Sequence, residues 1–163
     1  MTVDGFPEPF LDGDALSSLR WRRERFDTKN IPRAVLKQPK VYFSDNALAQ
    51  EGARFENLVA TSLLKRINFL EDRDGYRYEL RYIRDKEGRE VDFAILKEGK
   101  IEELVEVKYS DDNVSKSLLY YARRLNPRKA TQPVAQLKRS YDKAGVHVTD
   151  PISYFRPEIY GKS

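Results

Sequence analysis

Asp92, Glu106 and Lys108 are the side chains of this sequence best suited to do chemistry together. Asp92 stands in the run REVDFAILK, and Glu106 and Lys108 flank Val107 as Glu-Val-Lys. Val91, Phe93 and Ile95 alternate with other residues, and Ile101, Val105 and Val107 do the same, which is the pattern of half-buried strands. Glu98-Gly99-Lys100 supplies the glycine of a short hairpin loop. With the turn at those residues, Lys97 faces Ile101 and Asp92 lies opposite Glu106. Opposed residues on an antiparallel pair share a face with side chains ~5 Å apart, and like charges so placed destabilise the pair. Lys108 is two residues beyond Glu106 and shares its face. Two carboxylates and an ammonium therefore converge, and a hard divalent cation such as Mg²⁺ would relieve the repulsion between oxygen ligands.

Other chemistries find little here. The chain has no cysteine and one histidine, His147, in a short strand-like run, so thiolate sites, histidine-rich zinc sites and Cys/His catalysis are excluded. Ser110 and Ser115 have no base in a recognisable arrangement. At 163 residues the chain suits one domain with an appendage. The absence of cysteine favours an intracellular, cytoplasmic protein. No apolar run reaches membrane-spanning length, and the N-terminus MTVDGFPEPFLDGD lacks the basic-then-apolar pattern of a signal peptide. Charged residues make up 34%, with a net charge of +4, which permits a nucleic-acid partner without requiring one.

The elements that must position the trio follow from periodicity. A helical segment is expected from about Asp14 to Arg25, holding the densest basic cluster, Arg20-Trp-Arg-Arg-Glu-Arg25, and a linker from Thr28 to Pro39. Val41-Tyr-Phe reads as a short strand, followed by Ser44 or Asp45 as a cap. The strongest helical pattern begins at Ala47 or Gln50 and runs to about Leu70, with Phe55, Val59, Ser62, Leu63 and Ile67 as its stripe. Glu56 lies beside that stripe, where a carboxylate needs a partner, Arg66 and Arg54 being structural candidates. Tyr76–Arg84 reads as a strand, Asp85–Gly88 as a turn, and Val114–Leu125 as a helix capped from Asp111–Asn113 and stopped by Pro127. Ala130–Leu137 is a further strand weakened by Pro133, Lys138–Ala144 a short helical turn, Val146–Val148 a last strand, and Arg156–Ser163 a tail.

Helix, three antiparallel strands, helix, strand, with an acid in the first helix, Asp on the second strand and Glu-x-Lys on the third, resembles the PD-(D/E)xK nuclease fold. The residues carrying the match are Glu56, Asp92, Glu106 and Lys108. The region 39–155 further resembles the C-terminal domain of unknown function of bacterial and archaeal AAA-type ATPases, through the phrases PKVYFSD, FENLVA, RDKEGREVDF and VEVKYS. Residues 1–38 resemble the end of the ATPase region in those proteins, much shortened. No G-x-x-x-x-G-K-[ST] occurs, so ATP binding is not carried over.

The resemblance implies an α/β fold of order αβββαβ, a central mixed sheet flanked by helices. It implies that Asp92 and Glu106 bind Mg²⁺ or Mn²⁺ with the Val107 carbonyl, that Glu56 helps through a water or a second metal, and that Lys108 orients the attacking water or stabilises phosphate charge. Arg123, Arg124, Arg128, Lys129, Lys138 and Arg139 could hold a nucleic-acid backbone; Tyr120 and Tyr121 could stack on bases or belong to the core. The expected function is Mg²⁺-dependent hydrolysis of nucleic-acid phosphodiesters, DNA ahead of RNA. The alternatives are a non-catalytic module that binds nucleic acid, a protein partner or a second copy, and a remnant of the larger ATPase. No membrane partner is expected.

Overall fold

The computed structural model describes residues 36–37 and 51–159. The expected helix at 14–25, the strand at 41–43 and the cap at 44–45 lie outside the described residues. A mixed sheet carries the rest: β1 (Leu36–Lys37), β2 (Tyr78–Arg84), β3 (Glu90–Lys97), β4 (Lys100–Val105), β5 (Lys129–Pro133), β6 (Tyr141–Lys143) and β7 (Val146–Thr149). Its seven strands are ordered β1-β2-β3-β4-β5-β7-β6. Among the described residues three helices flank it: α1 (Glu51–Asp74), α2 (Lys116–Leu125) and α3 (Pro151–Ile159).

Each face of the sheet has its own apolar layer, which is how a sheet buries both sides under helices. Phe55, Val59, Ala60, Leu63 and Ile67 of α1 pack on Tyr78, Leu80, Phe93, Ile95, Val105 and Val107, with Tyr154 and Phe155 of α3 against them. Leu118 and Tyr121 of α2 pack on Ile83, Val91, Ala94, Leu96, Leu104, Ala130, Val134, Val146 and Val148 on the other side. Helix α1 ends where Gly75 takes φ +70° and its N–H closes on the Glu71 carbonyl at 2.9 Å, a left-handed stop that costs glycine little. The Glu71 carboxylate then accepts from the Tyr78 N–H at 2.8 Å, tying the helix end to the first residue of β2.

The element order, βαβββαβββα, contains the expected αβββαβ as the run α1 to β5 but differs from it as a whole. The segment expected as linker includes β1, which pairs with β2 through Leu36 opposite Ile83. No helical turn forms at 138–144; Tyr141–Lys143 is instead one arm of a hairpin with β7. Its turn residues, Ala144 and Gly145, have φ of 50° and 81°, the primed-turn geometry that matches strand twist. Asp111 does not cap α2, because its carboxylate accepts from the Asn113 N–H at 3.0 Å in a local turn. Ser115 is the cap, accepting from the Leu118 N–H. The tail expected from Arg156 begins inside α3, which runs on to Ile159.

Candidate functional site

The site forms where β3 and β4 stop pairing. Their ladder ends at Phe93 opposite Val105, the register that brings Asp92 level with Glu106. Two irregularities produce it. The turn is Glu98-Gly99, with Lys97 opposite Lys100, and the register shifts between Ile95 and Leu96, leaving Glu102 as an extra residue on β4. A second bulge lies on β3, where Arg81 pairs with Ala94 but Ile83 pairs with Val91. Asp92 and Phe93 together face Tyr82 at that point, so the strand's alternation slips at the carboxylate itself.

Beyond the ladder the Asp92 side chain takes over from the missing strand neighbour: its Oδ2 accepts from the Val107 N–H at 2.9 Å. On the far side of β4, the Glu106 N–H donates to the Thr131 carbonyl and the Lys108 N–H to the Pro133 carbonyl, each at 3.1 Å. Pro133 fits in a central strand because it is the last residue of β5 and contributes only its acceptor. The Glu-Val-Lys backbone is thus held from both sides, by an aspartate on one and a strand on the other.

Glu106 is buried and Lys108 is about one-third exposed, with its Nζ 2.8 Å from Glu106 Oε1. Burial pulls the Lys108 pKa down, but the hydrogen bond to Glu106 and the fields of Glu106, Asp92 and Asp111 outweigh it, and the group ends above the ordinary lysine value. Both carboxylates therefore act on one ammonium. The second oxygen of Glu106, Oε2, is buried without a hydrogen-bond partner. An acceptor left so in the interior is costly and marks a place for a cation or a proton donor.

Glu56 is half-buried on α1, which covers the face carrying Val105 and Val107. Alternation along β4 assigns Glu106 and Lys108 to the other face, with Leu104. Among the described residues no group of three or more acidic or histidine side chains is gathered for a metal ion. Arg66, named from the sequence as a candidate partner for Glu56, stands ten residues further along the helix and pairs with buried Glu103. The start of α1 does reach the site's neighbour, since the Tyr109 hydroxyl is held by Glu51, which together with burial raises the tyrosine's pKa.

Two polar residues that periodicity did not single out matter here. Gln132 is fully buried in β5, and the parallel register sets it beside Glu106. Its Oε1 accepts from the Ser115 N–H and its Nε2 donates to the Asn113 carbonyl, each at 2.9 Å. It thereby anchors the loop that follows Lys108. Glu103 gathers Thr131 at 2.9 Å and the Tyr154 hydroxyl at 3.0 Å besides Arg66. The available signal was a polar residue at a strand position that should be apolar.

The remaining candidates separate cleanly. Tyr121 is core, its hydroxyl donating to Asp85 at 2.7 Å. Tyr120 is partly exposed under the Arg89 guanidinium, 4.1 Å from the ring centroid. Arg128 pairs with Glu102 at 3.0 Å. His147 is exposed and lies 2.8 Å from Asp142, away from the carboxylate pair on β7.

A mixed sheet between helices, with an acid–lysine cluster at a splayed strand end, defines the architecture. Residues 51–155 match the family described as Domain of unknown function (DUF4143), and the chain belongs to that family. No curated protein and no solved structure matches it. No described helix is long and apolar enough to cross a membrane.

Proposed function

We propose that this domain is a PD-(D/E)xK-type phosphodiesterase that hydrolyses nucleic acid, DNA ahead of RNA, with Mg²⁺ or Mn²⁺. The observation that carries the reading is the buried, partnerless Oε2 of Glu106, beside a lysine whose ammonium feels both Glu106 and Asp92. Glu106 and Asp92 would hold the ion with the Val107 carbonyl; Glu56, which the resemblance offers as a helper, sits on the helix over the opposite face and has no place in this set. A bound divalent ion polarises a phosphoryl oxygen and lowers the pKa of its water. Lys108 keeps its proton at neutral pH and places a positive charge where negative charge grows on the phosphate. Asp92, fixed by the Val107 N–H, holds its other oxygen in one orientation. The reading also takes the chain as a relative of the C-terminal domains of AAA-type ATPases, without ATP binding.

A second reading has its own support. Lys108 already neutralises Glu106 at 2.8 Å, so the fold tolerates the buried carboxylate without an ion. On that reading the domain binds nucleic acid or a protein without cutting.

Incubation of a mixed DNA pool with Mg²⁺ separates the two. Under the first reading cleavage appears and falls by at least about 100-fold in Glu106→Ala and in Lys108→Ala. Equal cleavage by those variants would assign it to a contaminant, and salt-sensitive binding without cleavage selects the second reading.

A further inference from the structure

Helix α2 turns one side to the core and leaves the other as a basic groove. Lys116, Leu119, Tyr120, Arg123 and Arg124 line an open depression of about 450 Å³. The helix, KSLLYYARRL, contains no acidic residue. Lys116, Arg123 and Arg124 are exposed, and none forms an ion pair with a described carboxylate. This is unlike Arg66, Arg81, Arg89 and Arg128, each of which has one. Unneutralised cations this close together repel, so the surface is complementary to a polyanion.

The floor between those cations is apolar and aromatic. Leu119 and Tyr120 form it, and Tyr120 is held in place by the Arg89 guanidinium on its ring and by Arg124 Nη1 donating to its hydroxyl at 3.4 Å. A duplex offers only its phosphates to such a surface, because its base faces are stacked away. A single strand offers phosphates and unstacked bases together, the combination that basic grooves with aromatic platforms bind. The position is also informative. Helix α2 packs on the sheet face to which alternation assigns Glu106 and Lys108, and its first turn is pinned through Ser115 to Gln132, the neighbour of Glu106.

We infer that the outer face of α2 binds single-stranded nucleic acid, with Arg123, Arg124 and Lys116 on phosphates and Tyr120 against a base. This rests on the proposed nucleic-acid reading and specifies it: the substrate is single-stranded, or has a single-stranded segment beside the carboxylate site.

The test is fluorescence anisotropy of the full chain with a labelled thymidine oligonucleotide in EDTA, so that binding is read independently of cleavage. The single strand is expected to bind at least about tenfold tighter than a duplex containing the same sequence. Arg123→Ala/Arg124→Ala, both exposed, lowers the slope of log affinity against log salt by about 1.4. Tyr120→Ala weakens binding by about tenfold, and Tyr120→Phe restores it. Equal binding of duplex and single strand, an unchanged salt slope in the double variant, or equally tight binding of polyglutamate would overturn the inference. Loss of the cleavage reading would leave these measurements intact, and their failure would leave the cleavage assay to stand alone.

Discussion

The Asp92 carboxylate accepts the Val107 N–H at 2.9 Å, at the first position where β3 and β4 no longer pair. One side chain thus has two tasks, as a substitute for a strand neighbour and as half of a carboxylate pair. The two separate by substitution. Asp92→Ala leaves the Val107 amide without its acceptor and should lower stability by about 1–3 kcal/mol. Asp92→Asn keeps an oxygen for that amide and should cost less. Urea unfolding without divalent ion measures the difference.

Ion binding gives the complementary result. Mg²⁺ or Mn²⁺ at 100 times its Kd should stabilise the wild-type chain by about 2.7 kcal/mol. Both Asp92 variants should lose that increment, including Asp92→Asn, which retains the backbone bond. An unchanged wild-type melting temperature across a Mn²⁺ titration would remove the metal site.

The Arg66–Glu103 pair is a buried ion pair, with both side chains out of solvent. Arg66→Met should cost about 3–5 kcal/mol by leaving the Glu103 charge uncompensated. Replacing both residues with leucine should recover much of that loss. Chemical denaturation of the single and double variants compares them.

Acid stability has a local source in Asp85. Burial opposes its ionised form, but hydrogen bonds from Tyr121 and Arg89 and the Arg89 charge win and lower its pKa to about 2. A depressed carboxylate stabilises the fold fully above its unfolded pKa of ~3.9, and the contribution disappears as pH falls toward 2. Asp85→Asn should therefore flatten the pH dependence of stability between about 4 and 2. At the alkaline end the sign reverses: burial and Asp85 push Tyr121 up to about 12, so its contribution holds below ~10 and is lost as pH rises through 12.

The hairpin turn offers a gain. Ala144 sits at φ 50°, where a Cβ is strained. Ala144→Gly should raise stability by up to about 1 kcal/mol, read as an increase in melting temperature.

The central hairpin was legible because Val91, Phe93, Ile95, Val105 and Val107 alternate as strands do, and the match of Asp92 to Glu106 follows from counting. The count worked through two offsets that cancel: a loop shorter by one residue and Glu102 bulged by one. Periodicity carries no information about either. Helix α1 was legible because its stripe repeats for several turns, whereas Tyr141–Lys143 was not, since three polar-rich residues fit a helical turn as readily as a strand. The Ala-Gly turn that decides the matter acts through backbone angles. Partners at long separation, such as Arg66 with Glu103 and Gln132 with Ser115, depend on which elements the sheet order brings together, and residue spacing carries no record of that order.

Tyr154 gives the network around Glu103 a consequence for synthesis. Its hydroxyl, in α3, is the last-made of the groups that surround the Glu103 carboxylate, after Arg66 and Thr131. A nascent chain that has completed every strand still lacks that donor, with a charged pair partly uncovered. The domain therefore reaches its full cohesion only once α3 has emerged from the ribosome, and a chain cut before it would be the first to meet proteases and chaperones.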